Sequence, residues 1–588
     1  MILDHPADIE RWREAGWWGT TTVDDLLRAC VAAHPHQLAL VDAPNRAAFA
    51  FGVPQRLTFA EVDAYVDRLA ATLFDAGVRK DGIVLVQLPN IVEIALAFLA
   101  CARLGAIVSP IMLAYGERDL RRIVTHLDPA AILTLAEFKE AQPARVAAHV
   151  VDERGGPRIP VLAFGAGEAP DVMYIAGLER LPGDVTALRR YLASITIDAN
   201  EIATMHWTSG TTGEPKCVPR NHNTWHATGG CCTDSGGLQP GERILAPMQM
   251  VHTAGFSGLL MPWLETQGLL ALHHPFDMGV FLDQLEAERI NHTVMAPSML
   301  NALLKANTLD DRDVSSIRSI LCGSAPLDPW MITGFKQRYG IEIVNAFGST
   351  EGMTFMSGPT ITADPYRRAR YYPRFRGCVT PEAAASKWGL RIAPVVETRL
   401  RDLETGVEID VPKQPGELLF RSPALFPGYW TAEHRLDRSD FDADGFFRAG
   451  EIFEIAGEGE DASFYHYIDR LKDVINRGGV KIPVGELEAA IQDHPAVSEA
   501  LAIGYPDERL GERICAVVAL RPGATLTLEA LVQHLAEKDV PRFMRPERLE
   551  FVAALPRNPT GKPLKRELAR RLAGAVGISD VPRGPAGG

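Results

Sequence analysis

The sequence predicts an α/β protein with a large N-terminal domain of layered β-α-β sheets and a small α+β domain after it. In the first hundred residues, an apolar run lies between two stretches whose apolar residues recur at helical spacing. Repeated units of this type form mostly parallel sheets between helices. Near the C-terminus, two short strand-like runs precede one amphipathic helix, which is the pattern of a separate α+β domain.

The first β-α-β unit begins at a T-x-x-E capping box formed by Thr58 and Glu61. Apolar residues follow at helical spacing, and Gly77 supplies a stop. The run IVLVQL at 83–88 is almost continuously apolar, as expected of a strand buried on both faces. A second helix and a further strand are predicted at 90–104 and 106–110.

The C-terminal domain is predicted from strands at 500–507 and 513–520, joined by a polar turn with Gly511. Thr527 then caps a helix. We expect domains at 1–468 and 469–588 and a disordered Gly- and Pro-rich tail at 577–588.

The composition excludes several classes of protein. Sixty Lys and Arg oppose 74 Asp and Glu, a net charge of −14, whereas nucleic-acid binders need a basic surface. Eight Cys without a C-x-x-C pair favour neither a disulfide scaffold nor a zinc cluster. The N-terminus lacks a signal-peptide pattern, and the most apolar segment, 94–112, contains Arg103 and Pro110. We therefore expect a cytoplasmic protein in a reducing compartment, without a transmembrane segment.

The strongest local signal is TSGTTGEPK at 208–216, which follows an apolar strand-like run. Glycine lets backbone N–H groups converge on phosphate oxygens, while Ser, Thr and Lys add donors and charge. The spacing differs from a Walker A motif. The alternative is a surface loop. The predicted phosphate ligands are Thr208, Ser209, Gly210, Thr211, Thr212, Gly213 and Lys216.

With six further segments, this loop resembles the adenylate-forming superfamily of acyl-CoA synthetases, peptide-synthetase adenylation domains and luciferases. The segments follow in the order of that family and span about residues 20–570. They are HTAGF (252–256), GSAPL (323–327), NAFGSTEG (345–352), DGFFRAGE (444–451), IDRLKDVINRGGVKIPVGELE (468–488) and PRNPTGKPLKREL (556–568).

The resemblance implies the adenylate-forming synthetase fold with a mobile C-terminal domain, and a reaction that uses ATP, Mg²⁺ and coenzyme A. A carboxylate attacks the α-phosphate of ATP and gives an acyl-adenylate and pyrophosphate. The thiol of CoA then displaces AMP and gives a thioester. Members of the family are often homodimers, although nothing in this sequence shows an interface.

The resemblance assigns catalytic roles to Lys562, Thr350, Glu351 and His252. The ammonium of Lys562 would offset the charge that accumulates as phosphate and carboxylate oxygens approach each other; the alternative is a surface Lys in a basic tail. Glu351 is the expected Mg²⁺ ligand, directly or through water, because a hard cation takes oxygen ligands. Thr350 would hydrogen-bond the α-phosphate.

The remaining nucleotide contacts are also implied by the resemblance. Phe347, where the family usually has Tyr, would stack on adenine, and Arg470 and Glu451 would bind the ribose. The family usually has Asp at the position of Glu451, so the longer Glu side chain must adopt a different orientation to reach the ribose. The other predicted nucleotide contacts are Ser324, Ala325, Asn345, Ala346 and Gly348.

Lys472 corresponds to the hinge about which the C-terminal domain of the family rotates between the half-reactions. That rotation exchanges Lys562 for a loop at Gly478 and Gly479, where the absence of side chains leaves room for the pantetheine arm of CoA.

Small residues leave room in the implied acid pocket, and most of its lining is apolar, as in ligand pockets generally. No carboxylate in it would hold an amino group, which argues against an amino-acid substrate. The segment PRNHN at 219–223 also resembles aryl-acid ligases. In that resemblance, Asn is expected at the position of Thr253, so the Thr argues against a catecholate substrate. An alicyclic, aromatic or medium-chain acid is favoured. The predicted lining is Trp207, Thr253, Gly255, Gly323 and Met353.

Three other functions stay open: loading an acyl group onto a carrier protein, binding nucleotide or acyl ligand without turnover, and a luciferase-like oxygenation. The basic segment 355–395 either gates the acid, contacts the phosphates of CoA, or is a solvated insertion. His222 and His226 lack the acidic partner of an HExxH motif and are expected to be structural.

Overall fold

The computed structural model describes residues 1–208, 215–323, 327–375, 380–392, 397–478, 480–557 and 563–573. The chain divides into two compact units. The first comprises Met1–Thr398 and Phe420–Phe447, and the second comprises Arg399–Leu419 and Arg448–Gly588. This partition groups 399–419 and 448–468 with the C-terminal residues, and the division of the chain at Asp469 stays a prediction.

The helices are, in chain order, α1 (Pro6–Glu14), α2 (Val23–Ala33), α3 (Phe59–Asp75), α4 (Val92–Leu104), α5 (Glu117–Leu127), α6 (Pro143–Arg154), α7 (Val185–Leu192), α8 (His222–Ser235), α9 (Thr253–Gly255), α10 (Met261–Thr266), α11 (Met278–Ala287), α12 (Pro297–Lys305), α13 (Pro329–Tyr339), α14 (Pro365–Arg370), α15 (Pro381–Trp388), α16 (Gly485–Gln492), α17 (Leu528–Glu537) and α18 (Lys565–Ala573). A π-helical turn, Phe256–Leu260, joins α9 to α10.

The strands are, in chain order, β1 (Leu38–Val41), β2 (Arg56–Thr58), β3 (Ile83–Val86), β4 (Ile107–Pro110), β5 (Ala131–Leu135), β6 (Val161–Phe164), β7 (Val172–Ile175), β8 (Ile202–Thr208), β9 (Lys216–Asn221), β10 (Arg243–Ala246), β11 (Leu269–Leu272), β12 (His292–Met295), β13 (Ser319–Gly323), β14 (Glu342–Gly348), β15 (Thr354–Ser357), β16 (Tyr371–Pro373), β17 (Glu397–Arg401), β18 (Gly416–Arg421), β19 (Tyr429–Trp430), β20 (Leu436–Asp437), β21 (Phe447–Ile455), β22 (Phe464–Arg470), β23 (Ile475–Arg477), β24 (Val480–Ile482), β25 (Val497–Asp507), β26 (Gly511–Leu520) and β27 (Arg548–Phe551).

Two mixed sheets organise the first unit, and helices cover them, so the predicted α/β class is confirmed. One has the strand order β20-β19-β9-β8-β4-β3-β5-β6-β7, and the other has the order β15-β14-β13-β12-β10-β11-β1-β2. The neighbours β4, β3, β5, β6 and β7 are parallel, as are β1, β11, β10, β12, β13 and β14. One apolar cluster joins α3, α4 and α8 to both sheets, through side chains such as Val84 of β3 and Ile244 of β10.

The predicted β-α-β unit is present. Thr58 Oγ1 accepts from the Glu61 amide at 3.3 Å, and the Glu61 carboxylate accepts from the Thr58 amide at 2.8 Å, so the capping box is confirmed. Helix α4 begins later than the predicted residue 90, because its first amide, on Val92, donates to the buried carboxylate of Asp42 at 2.9 Å.

Helix α4 is buried over its whole length. Its Arg103 donates to Asp24, Asp63 and Asp67 at 3.0, 2.6 and 2.7 Å, so three carboxylates neutralise the buried guanidinium. Across the part of the chain that the structure describes, every helix is too short or too polar to cross a bilayer.

The second unit contains the predicted α+β elements. Strands β25 and β26 pair antiparallel from Val497–Leu520 to Asp507–Gly511, and β27 pairs parallel with β26. Thr527 Oγ1 accepts from the Ala530 amide at 3.2 Å at the start of α17, which confirms that cap. Helices α16 and α17 cover the sheet. The predicted disordered tail lies outside the described residues.

Candidate active site

The two ends of the predicted phosphate loop meet at the base of a hairpin. Thr208 ends β8 and Lys216 begins β9, and the two are paired across the antiparallel ladder. The pairing brings the first and the last predicted phosphate ligands side by side at one end of the sheet. The ligands between them, Ser209, Gly210, Thr211, Thr212 and Gly213, lie outside the described residues.

Lys216 is connected to Glu351 through Tyr429, which the sequence analysis missed. Lys216 Nζ lies 4.1 Å from the centre of the Tyr429 ring and 3.2 Å from Asp440 Oδ2. The Tyr429 hydroxyl donates to Glu351 Oε1 at 2.7 Å. Burial raises the pKa of Tyr429, as does the Glu351 carboxylate, so the phenol keeps the proton that it donates. A cation and a carboxylate are thus fixed on opposite parts of one aromatic side chain.

The environment of Glu351 fits a hard cation. Oε1 accepts the Tyr429 hydrogen bond, while Oε2 accepts none from the residues that the structure describes. One carboxylate oxygen is therefore available beside the base of the phosphate loop, and Mg²⁺ typically takes one or two carboxylates together with substrate phosphates.

Thr350 and Glu351 lie in the turn between the antiparallel strands β14 and β15. The Ser349 amide donates to Met353 O at 2.8 Å, and the Phe426 amide donates to Glu351 O at 2.8 Å. Gly352 is required here, because its φ is +117° and a Cβ on it would lie 2.0 Å from Ala424 O. The turn is therefore held by the segment at 424–426.

A buried cation, Arg220, supports the same turn and was not assigned a role from the sequence. Its guanidinium donates to Thr350 O at 3.2 Å and to Ala424 O at 3.0 Å, and it lies 4.4 Å from the Trp225 ring. Burial lowers the pKa of Arg220 to about 9, against the opposing charge of Glu351. Arg220 still carries its charge at neutral pH and positions the backbone of Thr350.

His252 directly precedes the short helix α9 that carries Thr253 and Gly255. Gly255 permits a close approach, since a Cβ on it would lie 2.6 Å from Met250 Cα. Gly323 is likewise constrained, because its Cβ would lie 2.2 Å from the carbonyl oxygen of Ala346, its partner across β13 and β14. Ser324 and Ala325 lie outside the described residues.

The other two predicted acid-pocket residues, Met353 and Trp207, have different surroundings. Met353 is buried at the end of the Thr350 turn. Trp207 instead donates from Nε1 to Ser109 Oγ at 3.1 Å and lies 5.1 Å from the His126 ring. Because side chains alternate along β8, His206 lies on the opposite face, where its ring contacts Trp225 and Phe256.

Asn345, predicted to contact nucleotide, is fully buried and holds the segment that follows β15. Its amide donates to Arg368 O and Ala369 O at 3.0 Å each, and its oxygen accepts from Tyr372 at 3.1 Å. Phe347 lies 5.7 Å from the Tyr372 ring. Arg368 is itself buried, so this part of the basic segment 355–395 is packed rather than solvated.

In the second unit, Glu451 and Arg470 are partners across β21 and β22. Arg470 Nε lies 3.3 Å from Glu451 Oε1, and the Tyr467 hydroxyl donates to Glu451 Oε2 at 3.2 Å. Tyr467 thereby supports the longer acidic side chain, a contact that the sequence analysis did not foresee.

Lys472 lies in the turn that follows β22. Gly478 has a φ of +62°, and its amide donates to Leu510 O at 2.6 Å. Gly479 and Lys562 lie outside the described residues, so their roles stay predictions.

His222 and His226 hold the N-terminal segment. His222 Nδ1 accepts from the Val23 amide at 3.1 Å, and His226 Nε2 donates to Thr21 O at 3.0 Å. Both contacts are structural.

Comparison with known proteins gives two family matches. Residues 28–430 match the family described as AMP-binding enzyme, and residues 486–562 match the AMP-binding enzyme C-terminal domain. The chain is 27% identical over 550 residues to the probable CoA ligase CCL5 of Humulus lupulus, which covers 92% of this chain and 91% of that protein. It is 28% identical over an alignment of 592 residues to the salicyl-AMP ligase / salicyl-S-ArCP synthetase of Mycobacterium tuberculosis, with 98% and 95% covered. Its fold is similar to that of ATP-bound MatB from Rhodopseudomonas palustris, with a TM-score of 0.71 at 24% identity and 94% and 99% covered.

Proposed function

The chain belongs to the AMP-binding enzyme family and is an acid-adenylating ligase, and we propose that it is an AMP-forming acid:CoA ligase. The observation that carries the proposal is the connection Lys216–Tyr429–Glu351. It joins a cation at the base of the phosphate loop to a carboxylate beside Thr350. This arrangement suits ATP, whose phosphates need a cation and a metal-binding oxygen close together.

In the first step, an oxygen of the acid attacks the α-phosphorus of ATP, and the bond to the bridging oxygen breaks. An acyl-adenylate forms and pyrophosphate leaves. Thr350 would donate its hydroxyl to an α-phosphate oxygen, with its backbone fixed by Arg220. Lys216 would pair with a phosphate oxygen, and Tyr429 orients that ammonium.

When bound, Mg²⁺ would be held by Glu351 and would neutralise charge on the phosphates. In the second step, the thiolate of CoA attacks the acyl carbon, the bond to the adenylate oxygen breaks, and AMP leaves. Glu451 and Arg470, held together in the second unit, would bind the ribose in both steps.

We propose an alicyclic, aromatic or medium-chain acid as the substrate. A second candidate is the loading of an aryl or acyl group onto a carrier protein, which the likeness to the salicyl-AMP ligase / salicyl-S-ArCP synthetase favours. A cytoplasmic location and a homodimer stay predictions.

The test is AMP release from ATP and Mg²⁺ across linear, alicyclic and aromatic acids, with and without CoA. A CoA ligase gives AMP in proportion to acyl-CoA, detected by mass spectrometry. Pyrophosphate exchange without CoA-dependent AMP release would favour the carrier-protein acceptor, and the absence of both would contradict the proposed ligase activity.

A further inference from the structure

His206 precedes the phosphate loop and belongs to none of the motifs. The side chain is 1% exposed, and its ring lies 5.2 Å from Trp225 and 6.0 Å from Phe256. Burial lowers the pKa of His206 to about 3, helped by Arg220 and His252. The imidazole is therefore neutral at physiological pH, with one nitrogen that donates and one that accepts.

The hydrogen bonds of Thr204 decide which nitrogen of His206 carries the proton. Trp225 Nε1 can only donate, and it donates to Thr204 Oγ1 at 3.1 Å. Thr204 Oγ1 also lies 3.0 Å from His206 Nδ1. If the Thr204 hydroxyl donates to Nδ1, every polar side-chain atom of Trp225, Thr204 and His206 except Nε2 has a hydrogen-bond partner. The opposite tautomer would leave both the hydroxyl proton and Nε2 unpaired, so the proton lies on Nε2.

The Nε2–H group of His206 is thus a buried donor without an acceptor among the described residues. The two ring nitrogens face away from each other, so Nε2 is directed away from Thr204. Thr204, His206 and Thr208 share one face of β8, because strand side chains alternate. The His206 ring lies 6.0 Å from the Phe256 ring, and burial and His252 lower its pKa, so the imidazole lies near the segment 252–256.

A second polar atom, in the segment whose Phe256 contacts the His206 ring, is also unsatisfied. Thr253 Oγ1 is buried and has no hydrogen-bond partner in the described part of the chain. Thr253 lies three residues before Phe256, which contacts the His206 ring. Leaving a buried polar group unpaired costs about 1–3 kcal/mol, so a ligand oxygen that paired with these groups would recover part of that cost.

We propose that His206 Nε2–H donates a hydrogen bond to a neutral oxygen on the carbon skeleton of the acid, so that the preferred substrate is a carboxylic acid with a keto, ether or hydroxyl group. The inference rests on the proposed ligase function and narrows its substrate class. A site that hydrogen-bonds a substrate oxygen rejects the analogue that lacks it far more strongly than an apolar pocket rejects an extra group.

The experiment compares matched acids that differ only in that oxygen: pentanoic with levulinic acid, cyclohexanecarboxylic acid with its tetrahydropyran analogue, and benzoic with salicylic acid. The readout is kcat/KM for AMP release. In at least one pair, we expect the native enzyme to prefer the oxygenated acid by about 10-fold or more. His206→Phe should remove the preference by lowering only the oxygenated member, and His206→Gln, which keeps a donor, should retain part of it.

His292 supplies the matched control. It is also buried, its Nδ1 lies 2.8 Å from Ser319 Oγ, and its Nε2 is unpaired among the described residues, but it begins β12 far along the chain from the loop. His292→Phe should leave the preference unchanged. Thermal unfolding of each variant shows whether it is folded.

Equal activity of the native enzyme on both members of every pair would overturn the inference while leaving the ligase function intact. An equal loss on both members in folded His206→Phe would overturn it as well, because His206 would then act on the shared carboxylate or on the fold. AMP release from none of the acids would contradict the ligase proposal and the inference with it.

Discussion

Tyr429 is the residue on which two charged groups of the candidate site depend. Its ring lies under Lys216 Nζ and its hydroxyl binds Glu351 Oε1. A cation–π contact contributes about 0.5–2 kcal/mol, and a hydrogen bond to a charged group contributes about 1.5–3 kcal/mol. The two contacts use different parts of the side chain, so substitution can separate them.

Tyr429→Phe removes the hydroxyl and keeps the ring beneath Lys216. We expect kcat/KM for MgATP to fall by about 10- to 100-fold, because Glu351 loses a charge-assisted hydrogen bond that fixes its carboxylate. Tyr339→Phe is the matched control, since the Tyr339 hydroxyl donates to Asp310 at 2.7 Å on the surface. An unchanged kcat/KM in Tyr429→Phe would show that Glu351 is oriented by other groups.

The sequence identified Lys216 and Glu351 but not the residues that hold them. A motif predicts the role of a residue from the residues next to it in sequence, and Lys216 and Glu351 both belong to such motifs. Arg220 and Tyr429 act through contacts with residues far away in sequence, on Thr350 and Glu351, which no local pattern encodes. The sequence showed that Glu451 replaces the Asp that is usual in the family, but it did not show that the Tyr467 hydroxyl binds the Glu451 carboxylate.

Helices α8 and α10 pack closely in the first unit, around the half-buried side chain of Glu265. A Cβ on Gly229 of α8 would lie 2.4 Å from Met261 Cβ of α10, so glycine allows this approach. The Thr233 hydroxyl donates to Glu265 Oε2 at 2.6 Å. Burial raises the pKa of Glu265 to about 7, although the Thr233 bond and Arg391 oppose the shift.

This shift makes the stability of the helix pair depend on pH. The carboxyl of Glu265 keeps its proton up to about pH 7 in the folded chain, but loses it near its ordinary value of 4.5 in the unfolded chain. The folded state therefore binds more protons between these values, and its stability falls as the pH rises through this window.

Glu265→Gln removes the titrating group and keeps the size of the side chain. We expect the Tm of the variant, relative to the native protein, to rise as the pH increases from about 5 to about 8, because only the native protein must bury a charge at the higher pH. Thermal unfolding followed by circular dichroism measures this difference. The same Tm difference at both pH values would contradict the assignment.

The predicted site residues are divided between the two units. The phosphate-loop ends and the Thr350 turn belong to the first, and Glu451, Arg470 and Lys472 belong to the second. The class of the fold and the order of the motifs were predictable, because apolar periodicity and motif chemistry are local. The assignment of 399–419 to the second unit could not be predicted, because it depends on contacts between residues far apart in sequence.

Lys562 gives the prediction that separates the two half-reactions. A preorganised ammonium acts where phosphate and carboxylate charges converge, which happens only during adenylation. Lys562→Ala should therefore lower acid-dependent pyrophosphate exchange by about 100-fold or more, while CoA still converts a supplied acyl-adenylate into thioester at a nearly native rate. Lys565→Ala is the control, because Lys565 Nζ lies 2.8 Å from Glu488 in a contact within the second unit.

If Lys562→Ala lowered both half-reactions equally while Lys565→Ala lowered neither, Lys562 would act on a feature common to both steps, such as AMP binding. Equal losses in the two variants would instead indicate that the C-terminal segment had lost its fold. A selective loss of adenylation would show that the ammonium is needed in one step and dispensable in the other, which is what the implied rotation at Lys472 predicts.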